Sequence, residues 1–290
     1  MFELIVQSLY SGVLAGGAYA LIALGLALVF GTMKIINLAH GELVLLAAYI
    51  AYMAENNWHL NPILAIPLAI VVVCATSVMV YFLVSKIEKD RELNSLILTY
   101  GIGIILTNAV LLIWKADIHS TNDAWFQQPV TLGPFYSMTS EITFFVISLV
   151  LIIGVWWWLA RSWYGRAVRA VSSNRDAAKL MGVNPRWTEL ISFLVSGLLA
   201  SFAGIAIYSS SVIQPSMGSH LTMKAFIITV LAGAGSIPGV LLGGMLIGIA
   251  EALTVTLYSS ALQEMTSMLL FLLVLFVMPN GLFGAKGRRG

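Results

Sequence analysis

Charged residues are scarce in this chain, and their scarcity excludes a water-soluble globular domain. Only 10% of the 290 residues are Asp, Glu, Lys or Arg, whereas 59% are hydrophobic. A soluble domain carries about 25% charged residues, so this composition predicts that a lipid bilayer is the solvent. The formal net charge of +2 is too small to indicate nucleic-acid binding, which depends on a strongly basic face.

Cysteine and the common catalytic motifs are nearly absent. Cys74 is the single cysteine, so neither a disulfide framework nor a thiolate metal site is expected. The four histidines lie in separate segments without metal-ligand spacing, and neither HExxH nor CxxC occurs. The Walker A sequence GxxxxGK[ST] is missing, which excludes ATP binding by a P-loop in this chain. We therefore expect no metal, no cofactor and no catalytic residue here.

Long apolar runs recur along the whole sequence instead. They cover about residues 4–30, 36–54, 62–85, 93–114, 141–160, 189–212, 223–258 and 265–278. A helix needs roughly 20 apolar residues to cross a bilayer, and these runs lack the alternation of barrel strands. The run 223–258 is too long for one helix, which predicts two elements, with a half-helix among the options. We predict an all-α polytopic membrane protein with about eight or nine helices in a single domain, 1–290.

The cations are concentrated in three short segments, which predicts the orientation of the chain. They lie in the loop 86–92, in the loop 161–187 and in the tail after residue 285. Because Lys and Arg are enriched in cytoplasmic loops, all three segments are expected to be cytoplasmic, including the C terminus. The N terminus and the segment 115–141 are then expected on the outer side.

The segment Asn37-Leu38-Ala39-His40-Gly41-Glu42 lies at the predicted cytoplasmic start of the second span. Ionisable groups in or beside a span are costly and usually face the bundle interior or a water-filled cavity. His40 and Glu42 are two residues apart and do not share a helix face, which argues against a metal or acid–base pair made from these two. Asn37 is a candidate helix cap. The segment is either a capped, solvated helix start or, as we favour, a polar lining of a translocation path or gate.

A glycine-rich segment interrupts the run 223–258. Small residues recur every fourth position, at Gly235, Gly239 and Gly243, and Gly244 and Gly248 continue this surface on an adjacent face. Such spacing lets helices pack closely in lipid, whereas a proline breaks a helix and broken helices often mark transport sites. Both interpretations stay open, although a glutamate in the following apolar stretch favours function. The translocation or gating candidates here are Gly233, Gly235, Ser236, Pro238, Gly239 and Glu251.

The loop 161–187 contains a third candidate, a short helix over Ser173–Gly182. Ser173 and Asp176 approximate a capping box, and Gly182 supplies a left-handed stop. So short a helix is marginal alone in water and needs packing to hold it. Its small apolar face consists of Ala177, Leu180 and Met181. Such a helix suits either a groove on another protein or a surface of anionic lipid headgroups.

Three segments together resemble a known family. Residues 37–42 resemble the signature INFAHGE, residues 175–182 resemble a cytoplasmic coupling-loop motif, and residues 230–239, followed by 249–252, resemble VLGGIGSIPG. In this order and spacing they are similar to the permease subunits of high-affinity branched-chain amino acid ABC transporters. The similarity runs from about Gly12 to Gly284.

The resemblance implies a type II ABC importer fold in a bacterial inner membrane, within a heteromeric complex. The implied partners are a second homologous permease, two cytoplasmic subunits that bind ATP and Mg²⁺, a periplasmic substrate-binding protein and membrane lipid. The short helix would dock in a groove of an ATPase through Arg175, Asp176, Ala177, Leu180, Met181 and Gly182. The implied cargo is leucine, isoleucine and valine, although related permeases import urea or short amides and these motifs do not separate them.

A stand-alone secondary transporter is the alternative from another class. Such a carrier needs coupling-ion or proton-relay carboxylates within its spans. Few carboxylates besides Glu42 and Glu251 lie inside apolar runs, so the sequence gives this alternative little support.

Overall fold

A computed structural model of the chain describes residues 1–87, 89–233, 235–278 and 281–282, and it confirms the all-α prediction. The helices are α1 (Phe2–Met33), α2 (His40–Trp58), α3 (Ile66–Ser85), α4 (Arg91–Trp114), α5 (Thr139–Arg161), α6 (Trp163–Ser173), α7 (Arg175–Leu180), α8 (Pro185–Ser210), α9 (Met217–Ala232), α10 (Ile237–Leu257) and α11 (Gln263–Val277). Single 3-10 turns, Pro62–Ala65 and Ser260–Leu262, lead into α3 and α11.

Seven of these helices are long and apolar enough to cross a membrane, namely α1, α3, α4, α5, α8, α10 and α11. When the more polar α2 and the shorter α9 are added, the described ranges contain nine helical passes. The predicted break in 223–258 is confirmed, because α9 ends at Ala232 and α10 begins at Ile237. Three passes therefore follow α8.

The end of the bundle at which α3 and α5 finish carries the two basic loops and is called the basic end. The Leu282 N–H donates to the carbonyl oxygen of Leu231, near the point where α9 also reaches this end. The cationic tail after residue 285, on which part of the orientation prediction rests, lies outside the described residues.

A short β-hairpin at the opposite end was not predicted. Strands β1 (Pro129–Leu132) and β2 (Phe135–Met138) pair antiparallel, with Pro129 opposite Met138. Gly133 adopts a φ of +64° in the connecting turn. The side chain of Gln7 accepts from the Tyr136 N–H at 3.0 Å, which ties the hairpin to the start of α1.

Helices α1 and α8 form the centre of the bundle. In their most apolar stretches 72% and 67% of residues are buried, against 22% in α4, 22% in α5 and 6% in α11. Since water does not solvate such apolar helices, the outer faces of α4, α5 and α11 are left for lipid or for other protein chains.

Helices α1 and α10 approach each other closely through glycines. A Cβ on Gly16 would lie 2.5 Å from Met245 Cα, and side chains on Gly12, Gly244 and Gly248 would meet the opposite helix at similarly short distances. Two GxxxG pairs therefore face each other, which is a common way for helices to pack in lipid.

This contact corrects the sequence-based assignment of the small residues. Gly235 has a φ of +83°, and no described residue lies within 4 Å of a Cβ built on it, while a Cβ on Gly243 would make only ordinary contacts with Ile228. The close packing belongs to the adjacent face of α10, and its partners Gly12 and Gly16 were missed because α1 has no helix-breaking signal to draw attention to them.

Gly16→Ala is expected to destabilise the folded protein by about 1–3 kcal/mol, because the added methyl group must push backbone away. Gly154→Ala in α5 is the matched control, since no other described part of the chain lies within 4 Å of a Cβ there. It should leave the stability unchanged or raise it by up to about 1 kcal/mol, because Ala favours a helix more than Gly does. The melting temperatures of both variants in detergent measure the difference. Equal melting temperatures would contradict the close α1–α10 contact.

Candidate functional site

The connection between α1 and α2 turns back into the bundle, so that α2 begins at membrane depth. His40, the first residue of α2, has its Nε2 atom 2.9 Å from the carbonyl oxygen of Ile22. Ile22 precedes Met33, the last residue of α1, by 11 residues, or about 16 Å at 1.5 Å per residue. The predicted position at the cytoplasmic start of a span is therefore wrong, because the chain re-enters the bundle before it becomes helical.

Helix α9 also begins inside the bundle, and its first turn meets that of α2. The Gly41 N–H donates to Thr222 Oγ1 at 2.8 Å, and this hydroxyl lies 3.2 Å from the carbonyl oxygen of Leu38. Only glycine fits here, since a Cβ on Gly41 would lie 2.5 Å from the Thr222 nitrogen. Two helix N termini thus meet in the interior, and we call this contact the α2/α9 junction.

Glu42 lies at the α2/α9 junction, in the first turn of α2. Its residue surface is 5% exposed, and a side chain on Gly218 would overlap its carboxylate. The Oε2 atom has no hydrogen-bond partner among the residues that the structure describes. Because helix N termini carry partial positive charge, the two helix starts stabilise a carboxylate at this position.

Asn37, the candidate cap of α2, does not cap this helix. Its Oδ1 atom accepts from the Ala39 N–H at 3.1 Å, and Ala39 precedes the first helical residue. The chain is still turning at Asn37, so its side chain satisfies the turn instead of the helix. Thr99 of α4 supports the same turn, because its Oγ1 atom accepts from the Leu38 N–H at 3.1 Å.

His40 is fully buried between α1, α2 and α8. Its Nδ1 atom lies 3.4 Å from Ser196 Oγ, opposite the contact with α1. Gly25 provides the space for the ring, since a Cβ there would lie 2.7 Å from His40 Cε1. His40 therefore positions the start of α2, and its partners Gly25 and Ser196 were not identified from the sequence.

The glycine-rich segment forms the turn between α9 and α10. Gly233 and Gly235 have φ angles of +84° and +83°, a conformation that favours glycine. Ser236 caps α10, because its hydroxyl accepts from the Gly239 N–H at 3.2 Å. A cavity of about 270 Å³ adjoins this turn, and Arg169 is among its lining residues.

Pro238 lies in the first turn of α10. Backbone N–H groups there have no partner within the helix, so the N–H that proline lacks costs no hydrogen bond. Helix α10 already begins at Ile237, one residue before the proline. The proline therefore starts the second element instead of kinking a continuous helix.

Glu251 is paired inside the bundle. Its Oε2 atom accepts from Lys224 Nζ at 2.9 Å, from Tyr19 Oη at 3.0 Å and from Gln263 Nε2 at 3.0 Å. These partners come from α9, α1 and α11, so the cluster joins four helices. No local sequence pattern indicates this cluster of side chains.

The translocation candidates thus lie at three places in the bundle: the α2/α9 junction, the glycine turn at the basic end, and the Glu251 cluster. Within the described ranges no group of three or more His, Cys, Asp or Glu side chains is arranged to hold a metal ion. The arrangement provides polar and charged contacts between helices along the bundle.

The short helix α7 lies at the basic end, and its cap is one residue later than predicted. Asn174 is its cap, because Oδ1 accepts from the N–H groups of Asp176 and Ala177 at 3.1 and 2.9 Å. The predicted capping box of Ser173 and Asp176 is wrong, since Ser173 still belongs to α6. Gly182 has a φ of +83°, which agrees with the predicted left-handed stop.

No residue in the described part of the chain covers the apolar face of α7. Leu180 and Met181 are 89% and 84% exposed, whereas Ala178 on the other side is buried. Arg175, assigned to ATPase coupling from the sequence, is half-exposed, and its Nε atom lies 2.9 Å from Glu189 Oε1.

Lys224→Met is expected to destabilise the protein by about 3–5 kcal/mol, because it leaves the buried Glu251 carboxylate without its cation. The double variant K224M/E251M removes both charges and should recover most of this loss. The melting temperature and the monodisperse yield in detergent measure both effects. A single variant as stable as the double variant would contradict the role of the ion pair.

Comparison with known proteins agrees with this architecture. The model of the family described as "Branched-chain amino acid transport system / permease component" matches residues 8–278. The high-affinity branched-chain amino acid permease protein BraD of Pseudomonas aeruginosa is 31% identical over 96% of this chain and 95% of BraD. LivH of Escherichia coli K12 is 30% identical, covering 98% and 96% of the two chains. A probable LivH of Methanocaldococcus jannaschii is 27% identical over 93% and 89%. This protein belongs to the family of branched-chain amino acid transport system permease components.

Proposed function

We propose that this protein is the permease subunit of an ATP-driven importer for leucine, isoleucine and valine. The observation that carries the proposal is the family match over residues 8–278, with relatives that cover nearly the whole chain. The chain provides the path and its movement, while two partner subunits bind ATP with Mg²⁺ and hydrolyse it. A second homologous permease and a periplasmic substrate-binding protein complete the complex.

The basic end of the bundle faces the cytoplasm in this proposal. Its loops carry most of the cations, and such loops remain on the cytoplasmic side of an inner membrane. Helix α7 then projects toward the ATPase subunits, and the hairpin end faces the periplasm and the substrate-binding protein. The position of Leu282 beside Leu231 supports a cytoplasmic C terminus.

Helix α7 docks in a groove of an ATPase subunit through its free apolar face. Leu180 and Met181 are almost fully exposed, although full burial of such a side chain contributes about 1.5–3 kcal/mol. The cap on Asn174 and the buried Ala178 hold the helix in place before a partner binds. ATP-driven closure of the ATPase subunits then moves a preformed element.

The charges at the α2/α9 junction favour a zwitterionic cargo over urea or a short amide. Two helix N termini attract a carboxylate, and the Glu42 carboxylate attracts an ammonium group. Movement of α2 against α9 would open the junction to the cargo and thereby gate the path. The second permease and lipid cover the exposed faces of α4, α5 and α11.

Leu180→Asp is expected to remove most of the ATPase subunits that co-purify with the tagged protein in mild detergent, because a charge cannot enter an apolar groove without a partner. Ile118→Asp is the matched control, since Ile118 is 65% exposed in the segment at the opposite end. It should leave ATPase association unchanged.

Normal ATPase association with Leu180→Asp would contradict docking through α7. A wild-type chain that purifies alone and carries leucine into liposomes without ATP would replace the importer with a secondary transporter.

A further inference from the structure

The buried carboxylate of Glu189 connects three helices at the basic end. Glu189 lies in α8 and is 0% exposed. Arg175, the first residue of α7, reaches it with Nε at 2.9 Å and Nη2 at 3.5 Å, and Arg91, the first residue of α4, reaches it with Nη1 at 3.3 Å and Nη2 at 3.2 Å. Each guanidinium thus contacts both carboxylate oxygens.

The Arg175–Glu189 pair attaches α7 to α8. Of the six residues of α7, only Ala178 is buried. The Arg175 side chain is 47% exposed, whereas that of Glu189 is 1% exposed. Leaving a buried carboxylate without a cation is costly, so α7 cannot move away from α8 freely.

Helices α8 and α4, which Glu189 links to α7, both contact the start of α2. In α8, Ser196 follows Glu189 by seven residues, or about 10 Å along the helix, and its hydroxyl lies 3.4 Å from His40 Nδ1. In α4, Thr99 bonds to the turn before α2, and a Cβ on Gly103 would lie 3.8 Å from Glu42 Cγ. Two separate routes therefore lead from Glu189 to the α2/α9 junction.

We propose that Glu189 is the positioning residue that transmits movement of α7 to the α2/α9 junction. When an ATPase subunit displaces α7, the two arginine pairs make α8 and α4 follow, and these helices shift the start of α2. This inference rests on the proposed function, because it assigns the route by which ATPase closure reaches the path.

Arg175→Gln tests the route most directly, because it cuts the link to α7 and leaves Glu189 paired with Arg91. Lys179→Gln is the matched control: it removes the same charge from the same helix, and Lys179 forms no ion pair with any residue in the described part of the chain. The whole complex with its binding protein is reconstituted in liposomes, and leucine uptake and ATP hydrolysis are measured together.

The Arg175→Gln complex should retain its ATPase subunits and hydrolyse ATP, while leucine transported per ATP falls about tenfold, within the usual range of coupling between sites. Lys179→Gln should keep the wild-type ratio. Glu189→Gln should lower the ratio at least as much, because it weakens the pairs with both Arg175 and Arg91. R175Q/E189Q should lose little more than Glu189→Gln alone, since the Arg175–Glu189 contact is already lost. Glu189→Asp keeps the charge and should retain more coupling than Glu189→Gln.

An unchanged ratio with Arg175→Gln would overturn this inference and leave the proposed function standing. Loss of the ATPase subunits from that variant would also overturn it, because Arg175 would then belong to the docking surface. A wild-type complex without ATP-dependent uptake would instead overturn the proposed function. If the Glu189→Gln complex does not assemble, the Arg175→Gln variant still tests the inference, because Arg175 is half-exposed.

Discussion

The need to satisfy every backbone N–H and C=O within the protein governs where this chain interrupts its helices, because a bilayer offers no water as a substitute partner. Helices α2 and α9 both start in the interior, where the turn before α2 has free donors. Thr99 accepts from the Leu38 N–H and Thr222 accepts from the Gly41 N–H. The α2/α9 junction thus depends on two hydroxyls and on the missing side chain of Gly41.

The absence of water inside the bilayer also explains why the buried charges of the bundle are paired. These pairs limit how the helices can move. The ion pairs Lys224–Glu251 and Arg175–Glu189 each join two consecutive helices, and Arg91–Glu189 joins α4 to α8. Such pairs resist separation, because a single buried charge is unfavourable. They therefore hold helices together as units while weaker contacts between the units change, which is the behaviour that an ATP-driven permease requires.

The helices were largely predictable, because bilayer thickness sets their length and glycines with Pro238 announce the break before α10. The depth at which α2 begins was not predictable, because it depends on a contact with Ile22 that no local sequence pattern encodes. The partners of Glu251 and Glu189 were missed for the same reason; Arg91 and Glu189 are 98 residues apart. The cap of α7 was misassigned because Ser173 and Asn174 are adjacent, and only the end of α6 distinguishes them.

Leucine uptake by the complete complex in liposomes tests the central claim most directly. ATP is enclosed inside the liposomes, on the side that the ATPase subunits face. The substrate-binding protein and labelled leucine are added outside. The account predicts uptake that requires ATP, is competed by isoleucine and valine, and is unaffected by urea. Uptake without ATP, or competition by urea but not by valine, would contradict it.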